Sequence, residues 1–227
     1  MVPVLDEAAG IEACLLRLRT DFPECELVVV DGGSTDGTAA LAARHARTVT
    51  APRGRGRQLN AGAAATSGDV LWFVHADCVV PPAALGALRA ALADPRVVGG
   101  GLRLAFDRRS PGLDWLRVTS NLRARRLHQV FGDQAMFVRR TVFDALGGFP
   151  ELPLMEDFEM SRRLARRGRL AVLDVAVTAS ARRIAAHGPW RMIVLMQWLK
   201  LQYLLGVDPE RIRRRYERGT RRGRRAH

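Results

Sequence analysis

Cysteine and long hydrophobic runs are scarce in this 227-residue chain. The three cysteines are an odd set without a C-x-x-C pair, which argues against a disulfide framework or a zinc site and fits a reducing cytosol. No run of about 20 apolar residues occurs, so the sequence predicts no transmembrane helix. Asp6 and Glu7 fall within the first ten residues, so we expect no signal peptide. We therefore predict a cytoplasmic protein.

Hydrophobic and basic residues, by contrast, are plentiful. Hydrophobic residues make up 48% of the chain, so it can bury a sizeable core, and general disorder is disfavoured. The net charge is +13, and nine arginines lie in residues 211–227. This run predicts a flexible basic tail that is either simply solvated or in contact with an anionic surface, such as lipid headgroups or nucleic acid.

Short apolar segments alternate with helical patterns along the chain. Predicted strands lie at 2–5, 26–30, 48–50, 69–74, 97–106, 134–138 and 170–178, and the clearest helices at 58–66, 113–128 and 156–167. Ile11, Leu15 and Leu18 form the apolar face of a first helix, with Asp6 as its predicted cap. Near-continuous apolar strands are typical of a mostly parallel sheet covered by helices on both faces, so we predict an α/β fold.

Two predicted strands end in acidic residues. In VVVDGGSTDGT (28–38), Asp31 sits at a strand end, where ligands bind in open α/β sheets, and Gly33 permits positive φ or a close approach of the backbone. A tight turn with a helix cap is the alternative for this stretch. The strand 69–74 runs into His75, Ala76 and Asp77, whose first and third side chains point to one side of an extended chain. They are candidates to share a divalent cation with a diphosphate, although His75 alone is more often a packed residue.

Together the strand ends resemble glycosyltransferase family 2, the inverting enzymes of the GT-A fold, which have a Rossmann-like central sheet flanked by helices. The motifs that carry the resemblance are PVLDE (3–7), VVVDGGSTDGT (28–38), RGRGRQLNAG (53–62), VHADC (74–78), GDQAMFVRR (132–140) and FDALGGFPELPLMEDFEMSRRLARRG (143–168). The arginine–glycine loop, and HAD in place of D-x-D, resemble a small bacterial subgroup. The resemblance implies a GT-A domain at 1–180, with a nucleotide-binding half at about 1–95 and an acceptor half at about 96–180.

The resemblance also implies a role for individual residues. The pocket for a UDP- or GDP-linked sugar would be formed by Pro3, Val4, Asp6, Glu7, Asp31, Gly33, Arg53, Arg55, Arg57, Gln58 and Ala76, with Asp31 on the base or ribose and the arginines over the phosphates. Asp77 would bind Mg²⁺ or Mn²⁺, with His187 as a further ligand or only a loop histidine. Asp157, next to Glu156, would be the general base, although an acid there also suits a helix N-terminus. Gly132, Asp133 and Gln134 are candidates to face the acceptor.

The C-terminal region is predicted to be a helical segment at 181–210 followed by the basic tail. In WRMIVLMQWLKLQYLL (190–205), the polar residues Gln197, Lys200 and Gln202 cluster on one side of a helix. The residues left for burial are Met192, Val194, Leu195, Met196, Trp198, Leu199 and Leu205. The segment either packs on the catalytic domain or lies in a membrane interface. With the arginine tail, the second alternative predicts peripheral contact with the inner face of the cell membrane and a lipid or polyisoprenoid acceptor.

Two other functions fit the sequence less well. A sugar-nucleotidyltransferase would carry its glycine–arginine loop after the first strand, whereas Arg53 to Arg57 follow the third. A basic nucleic-acid-binding protein would leave Asp31, Asp77 and the Glu156–Asp157 pair unexplained, because acids repel phosphate backbones. We therefore expect no nucleic-acid partner.

Overall fold

The computed structural model describes residues 1–221, which form eight strands and ten α-helices. The strands are β1 (Val2–Val4), β2 (Val28–Asp31), β3 (Arg47–Thr50), β4 (Val70–Trp72), β5 (Cys78–Val79), β6 (Val97–Phe106), β7 (Phe137–Arg139) and β8 (Arg169–Ala179). The helices are α1 (Ile11–Asp21), α2 (Thr38–Ala43), α3 (Arg55–Ala64), α4 (Ala83–Leu92), α5 (Pro111–Leu127), α6 (Arg140–Ala145), α7 (Glu156–Ala165), α8 (Arg182–His187), α9 (Pro189–Leu204) and α10 (Pro209–Arg221).

The strands form two sheets that meet at the first residue. β1, β2 and β3 pair in parallel in that order, and the second sheet has the order β4-β7-β6-β8-β5. The amino group of Met1 donates to the carbonyl of Trp72 at 2.8 Å, and the N–H of Val74 donates to the carbonyl of Met1 at 3.0 Å. β1 and the segment around β4 are thereby joined, so the two sheets act as one central layer.

The α/β class with a central sheet flanked by helices is confirmed, but the sheet is mixed rather than mostly parallel. β6 and β8 are parallel, whereas β7 runs antiparallel to both β4 and β6, and β5 antiparallel to β8. A strand that is buried on both faces reads as an apolar run whatever its direction, so the sequence pattern did not reveal these antiparallel pairs.

Helices cover both faces of the sheet. Val29 points to the side covered by α1 and α4, where it joins Ile11, Leu15 and Leu88 in one core. Its neighbours Val28 and Val30 point to the other side and join a second core with residues of α3, α6 and α7. This alternation is the period of two expected of a strand, and it fixes a three-layer arrangement.

We predicted that Asp6 caps the first helix, and this prediction is wrong. α1 begins after Gly10, and Asp6 has a positive φ of 53° in the preceding turn. Its Oδ1 accepts the N–H of Thr35 at 2.8 Å, so the carboxylate ties the loop after β1 to the loop after β2. The prediction failed because four further residues form a turn before the helix starts.

The prediction of a flexible tail is also wrong for the part of the tail that the structure describes, because residues 209–221 form α10. Ile212 is fully buried, and with Tyr216 it packs against Leu195 and Leu199 of α9. Ile212 and Tyr216 are four residues apart and so share one helix face, a signal that the many arginines obscured. Residues 222–227 of the predicted tail lie outside the described residues.

The burial predicted for α9 is only partly right. Met192 and Leu199 are buried, but Val194, Trp198 and Leu205 are exposed, whereas Gln202, expected on the polar side, is buried and bonded to Arg215. The predicted and observed burial of α9 differ because α10 packs on the side of α9 that carries Gln202. Across the described chain, no helix combines the length and the hydropathy needed to cross a bilayer.

Candidate active site

A cavity of about 1150 Å³ opens beyond the carboxyl ends of β1 and β4. Its floor comes from the loops after these strands and from the start of α3. Its far wall is built by residues 151–157, α5, α9 and α10. Such crevices at strand ends are where open α/β sheets bind ligands.

Most of the predicted site residues share this cavity. Those on its wall are Pro3, Val4, Glu7, Arg53, Arg55, Arg57, Gln58, Ala76, Asp77, Glu156 and Asp157. Asp6, Asp31, Gly33 and His187 are not on the wall. Asp31 ends β2, Asp6 and Gly33 lie in the adjoining loops after β1 and β2, and His187 ends α8.

Asp31 organises the loop after β2. Its Oδ2 accepts the N–H groups of Gly33 and Ser34 at 2.9 and 3.0 Å, and Gly33 adopts a φ of 90°. Its Oδ1 is buried and has no hydrogen-bond partner within residues 1–221. Asp31 therefore builds the tight turn that was the alternative prediction, and its Oδ1 stays buried beside that turn, off the cavity wall.

Gln58 connects α3 to the sheet beneath the cavity. Its Nε2 donates at 2.9 Å to the carbonyl of Val4, the last residue of β1, and at 3.0 Å to that of Val30, the next-to-last residue of β2. A Cβ on Gly32 would lie 2.9 Å from the amide carbon of Gln58, so a larger residue there would displace the Gln58 amide from these two carbonyls. Gln58 thus has a structural role that the sequence did not indicate.

His75, Asp77 and Cys78 form the group best suited to hold a metal ion. One ligand atom from each lies within 4.8 Å of the others, and the Cys78 Sγ is 3.9 Å from Asp77 Oδ1. Cys78 was overlooked because it belongs to no C-x-x-C pair, although it directly follows Asp77. Burial, and then the Asp77 carboxylate, raise the pKa of the Cys78 thiol, so the thiol is protonated at neutral pH when no cation is bound. His187 is not part of this group.

Asp157 lies next to the metal-ligating group. Its Oδ2 accepts the N–H of Gly132 at 3.0 Å, and its Oδ1 accepts the N–H of Phe158 at 2.7 Å. A Cβ on Gly132 would lie 2.7 Å from His75 Nε2 and 3.6 Å from Asp157 Oδ2. The two side chains therefore approach each other over Gly132, and only glycine leaves the space open.

Glu156 lies behind Asp157 at the start of α7. Its Oε1 is 3.8 Å from the Arg55 Nε, and the side chain is almost completely buried. Burial, and then the charge of Asp157, raise the pKa of Glu156 to about 7. Glu156 is therefore largely protonated below neutral pH, whereas its neighbour accepts two N–H groups.

The end of the cavity lined by α5 and α9 contains a cationic pair that the sequence did not reveal. The Arg123 guanidinium lies 3.7 Å from the centre of the Phe131 ring, and the Lys200 Nζ lies 4.9 Å from it. Burial, and then Arg123, lower the pKa of Lys200 to about 8, while burial raises the pKa of Asp133. A lysine inside an otherwise apolar helix was the available signal for Lys200. Asp133 and Gln134 were predicted to face the acceptor. Asp133 lines the cavity, whereas Gln134 is fully buried and donates a hydrogen bond to the carbonyl of Leu102.

A mixed central sheet with acidic strand ends around one large cavity defines the GT-A class of glycosyltransferase folds. The chain belongs to glycosyl transferase family 2, whose family model matches residues 1–145. No curated protein matches the sequence.

Solved structures of the same fold share about a fifth of their residues with this chain. A mannosyltransferase of Pyrobaculum calidifontis, PcManGT, solved with GDP-Man and Mn²⁺, is 21% identical with a TM-score of 0.68 over 91% of this chain and 63% of its own. Glucosyl-3-phosphoglycerate synthase of Mycobacterium tuberculosis, solved with Mn²⁺, UDP and glucosyl-3-phosphoglycerate, is 22% identical with a TM-score of 0.58 over 82% and 76%. S. aureus TarS is 19% identical with a TM-score of 0.63 over 85% and 62%. The chain thus spans less than two thirds of the mannosyltransferase and of the TarS fragment, and the likeness establishes the fold.

Proposed function

We propose that this protein is an inverting glycosyltransferase that moves a sugar from a nucleoside-diphosphate donor to a hydroxyl acceptor, assisted by Mn²⁺ or Mg²⁺. The observation that carries the proposal is the meeting of the metal-ligating group and Asp157 over Gly132 inside one cavity. Direct displacement at an anomeric carbon requires a base on the acceptor side and neutralisation of the diphosphate that leaves on the opposite side, and this one cavity holds candidates for both roles. The subgroup with the RGRGRQLNAG loop and HAD motif stays a prediction.

The donor would occupy the strand-end half of the cavity. Pro3, Val4, Glu7 and Ala76 line it, and Arg53, Arg55 and Arg57 stand beside it as counter-charges for the phosphates. Asp31 stays the predicted contact to the base or ribose, while Asp6 and Gly33 shape the same loops.

The metal-ligating residues fit a divalent cation. The Asp77 carboxylate suits either Mg²⁺ or Mn²⁺, while the imidazole of His75 favours Mn²⁺, because Mg²⁺ prefers oxygen ligands. When bound, the cation would neutralise the charge that grows on the leaving diphosphate. His187 stays a further predicted ligand; its Nδ1 is buried and unpaired within residues 1–221.

Asp157 would remove the proton from the acceptor hydroxyl as that oxygen attacks the sugar. The two N–H groups that it accepts hold the carboxylate in place. Glu156 does not duplicate this role, because its raised pKa of about 7 keeps a large share of it protonated at neutral pH. We propose that Glu156 keeps Arg55 directed at the donor.

The enzyme would work in the cytoplasm, in peripheral contact with the inner face of the cell membrane, on a lipid or polyisoprenoid acceptor. The support is the basic α10 packed on the partly exposed apolar α9, both of which border the cavity. The apolar cavity residues Leu116, Met192, Ile193 and Met196 would suit the lipid part of such an acceptor.

A panel of UDP- and GDP-linked sugars tests the proposal. Wild-type protein with Mn²⁺ should release nucleoside diphosphate from at least one donor. Asp157→Asn should bind the same nucleotide with unchanged affinity but lose transfer, because the base touches the acceptor and not the nucleotide. Release from no donor in the panel would contradict the proposal, and loss of nucleotide binding in Asp157→Asn would place that residue in the donor site instead.

A further inference from the structure

One side of α9 presents large apolar side chains to solvent. Trp190, Val194, Trp198, Leu201 and Leu205 follow one another at helical spacing and are 46% to 73% exposed. The opposite side of the helix, with Met192, Ile193 and Leu199, is buried. α9 therefore carries apolar residues on both its buried and its exposed side.

α5 presents a second stripe of the same kind. Trp115, Val118 and Leu122 are exposed at spacings of three and four residues. The stripe meets that of α9 where the ring centres of Trp115 and Trp190 lie 5.7 Å apart. We call these two stripes, residues 115, 118 and 122 with residues 190, 194, 198, 201 and 205, the α5–α9 face. Contiguous exposed apolar surface of this extent marks an interaction site more often than a bare surface.

Positive charge borders the α5–α9 face on the side of α10. Arg211, Arg214 and Arg218 on α10 are exposed and form no ion pair within residues 1–221. The Arg215 guanidinium lies 5.3 Å from the centre of the Trp198 ring, which places a cation at the edge of the stripe. α9 itself contains no acidic residue. The partner that complements this face must therefore be both apolar and anionic.

The inner sides of the same two helices form a wall of the cavity. Leu116, Ser120 and Arg123 of α5, and Met192, Ile193, Met196 and Lys200 of α9, line it. Whatever binds the α5–α9 face therefore lies one helix diameter from the acceptor end of the site, about 10 Å.

We infer that the α5–α9 face docks on an anionic lipid surface and sets the acceptor end of the cavity against that surface. Tryptophans then lie at headgroup depth, the aliphatic side chains enter the acyl boundary, and the arginines of α10 contact the headgroups. The link between this docking and acceptor binding rests on the proposed function. Nucleic acid is disfavoured as the partner because the face is apolar. A second copy paired face to face is disfavoured because the two arginine-rich α10 helices would repel each other.

Flotation with lipid vesicles tests the docking surface. The full chain should float with vesicles of phosphatidylcholine mixed with phosphatidylglycerol at low salt, and much less with phosphatidylcholine alone. Val194→Glu combined with Leu201→Glu and Leu205→Glu should weaken vesicle binding roughly 100-fold, because it removes insertion and adds repulsion. Leu16→Glu, on the exposed surface of α1, is the matched control and should bind as wild type does.

A second variant tests the charges separately. Arg211→Gln combined with Arg214→Gln and Arg218→Gln should weaken binding by about two orders of magnitude before screening, from roughly a factor of five per arginine near an anionic leaflet. Arg166→Gln with Arg167→Gln, two exposed arginines that follow α7, should change it little. Nucleoside diphosphate release from the donor in solution should be unchanged in every variant, which separates failure of docking from failure of the proposed activity.

Three results would overturn the inference. The first is equal recovery on neutral and anionic vesicles, and the second is full vesicle binding by the triple glutamate variant. The third is a concentration-dependent dimer in sedimentation that the glutamate variant abolishes while wild-type protein does not float. That last result would assign the α5–α9 face to a contact between two copies of the chain.

Discussion

Replacing Glu156 by glutamine should change how the stability of the protein depends on pH. The Glu156 side chain is 7% exposed, and its Oε1 is 3.8 Å from the Arg55 Nε. Burial, and then Asp157, raise its pKa from 4.5 to about 7. The folded protein therefore binds a proton at this position more tightly than the unfolded chain does.

The sign and size of the effect follow from that difference in proton affinity. Because the folded pKa is raised, the stabilisation is fully present below about pH 4.5 and is lost as the pH rises through 7. At about 1.4 kcal/mol for each tenfold change in proton affinity, the full contribution is about 3 kcal/mol, most of it lost between about pH 5 and pH 8. Glutamine does not titrate, so Glu156→Gln should lack this loss.

Urea unfolding in metal-free buffer at pH 5 and pH 8 measures the effect. Wild type should lose about 2 to 3 kcal/mol more stability between these two conditions than Glu156→Gln does. Glu151→Gln is the control, because the Glu151 side chain is 61% exposed and its ion pair with Arg57 at 2.9 Å is solvated. A Glu156→Gln variant whose stability falls with pH in parallel with wild type would refute the reasoning.

Two further substitutions test the packing around the site. Gln58→Leu should lower the free energy of unfolding by about 1 to 3 kcal/mol, because it removes the side-chain donor shared by the buried carbonyls of Val4 and Val30, of which the first keeps the N–H of Gly32. Urea unfolding against Ala64→Ser, an exposed position of the same helix, would measure it. Ile212→Ala should destabilise the docking of α10 by about 2 to 5 kcal/mol, seen as faster hydrogen exchange of α10 amides only, whereas Leu205→Ala, exposed in the structure, should leave that exchange unchanged.

Local signals were enough to predict seven of the eight strands and the cavity floor, whereas the two-residue β5 was not predicted. β6 was predicted with its observed bounds because it is apolar except for Arg103, and Asp31 and Asp77 were singled out because each follows an apolar strand segment. Strand direction was not predictable in this way, because a doubly buried strand looks the same in a parallel and an antiparallel pair.

Contacts between distant segments explain what the sequence did not reveal. Arg123 and Lys200 come from α5 and α9 and share the ring of Phe131, a meeting that depends on how the two helices pack. Cys78 was visible beside Asp77 but was judged only by cysteine spacing. Ile212 was visible too, but its single buried face is surrounded by arginines, so charge dominated the interpretation of the whole segment.

Metal-dependent nucleotide binding is the measurement that tests the central claim most directly. The melting temperature of wild-type protein should rise with UDP or GDP in the presence of Mn²⁺ and much less with either alone, by an amount equivalent to about 2.7 kcal/mol at a ligand concentration of about 100 Kd. Asp77→Asn should keep the wild-type melting temperature without ligand and lose the Mn²⁺-dependent rise, because the metal-ligating group loses its only carboxylate. An equal rise without metal, an undiminished rise in Asp77→Asn, or stabilisation by an oligonucleotide instead of the nucleoside diphosphate would contradict the account.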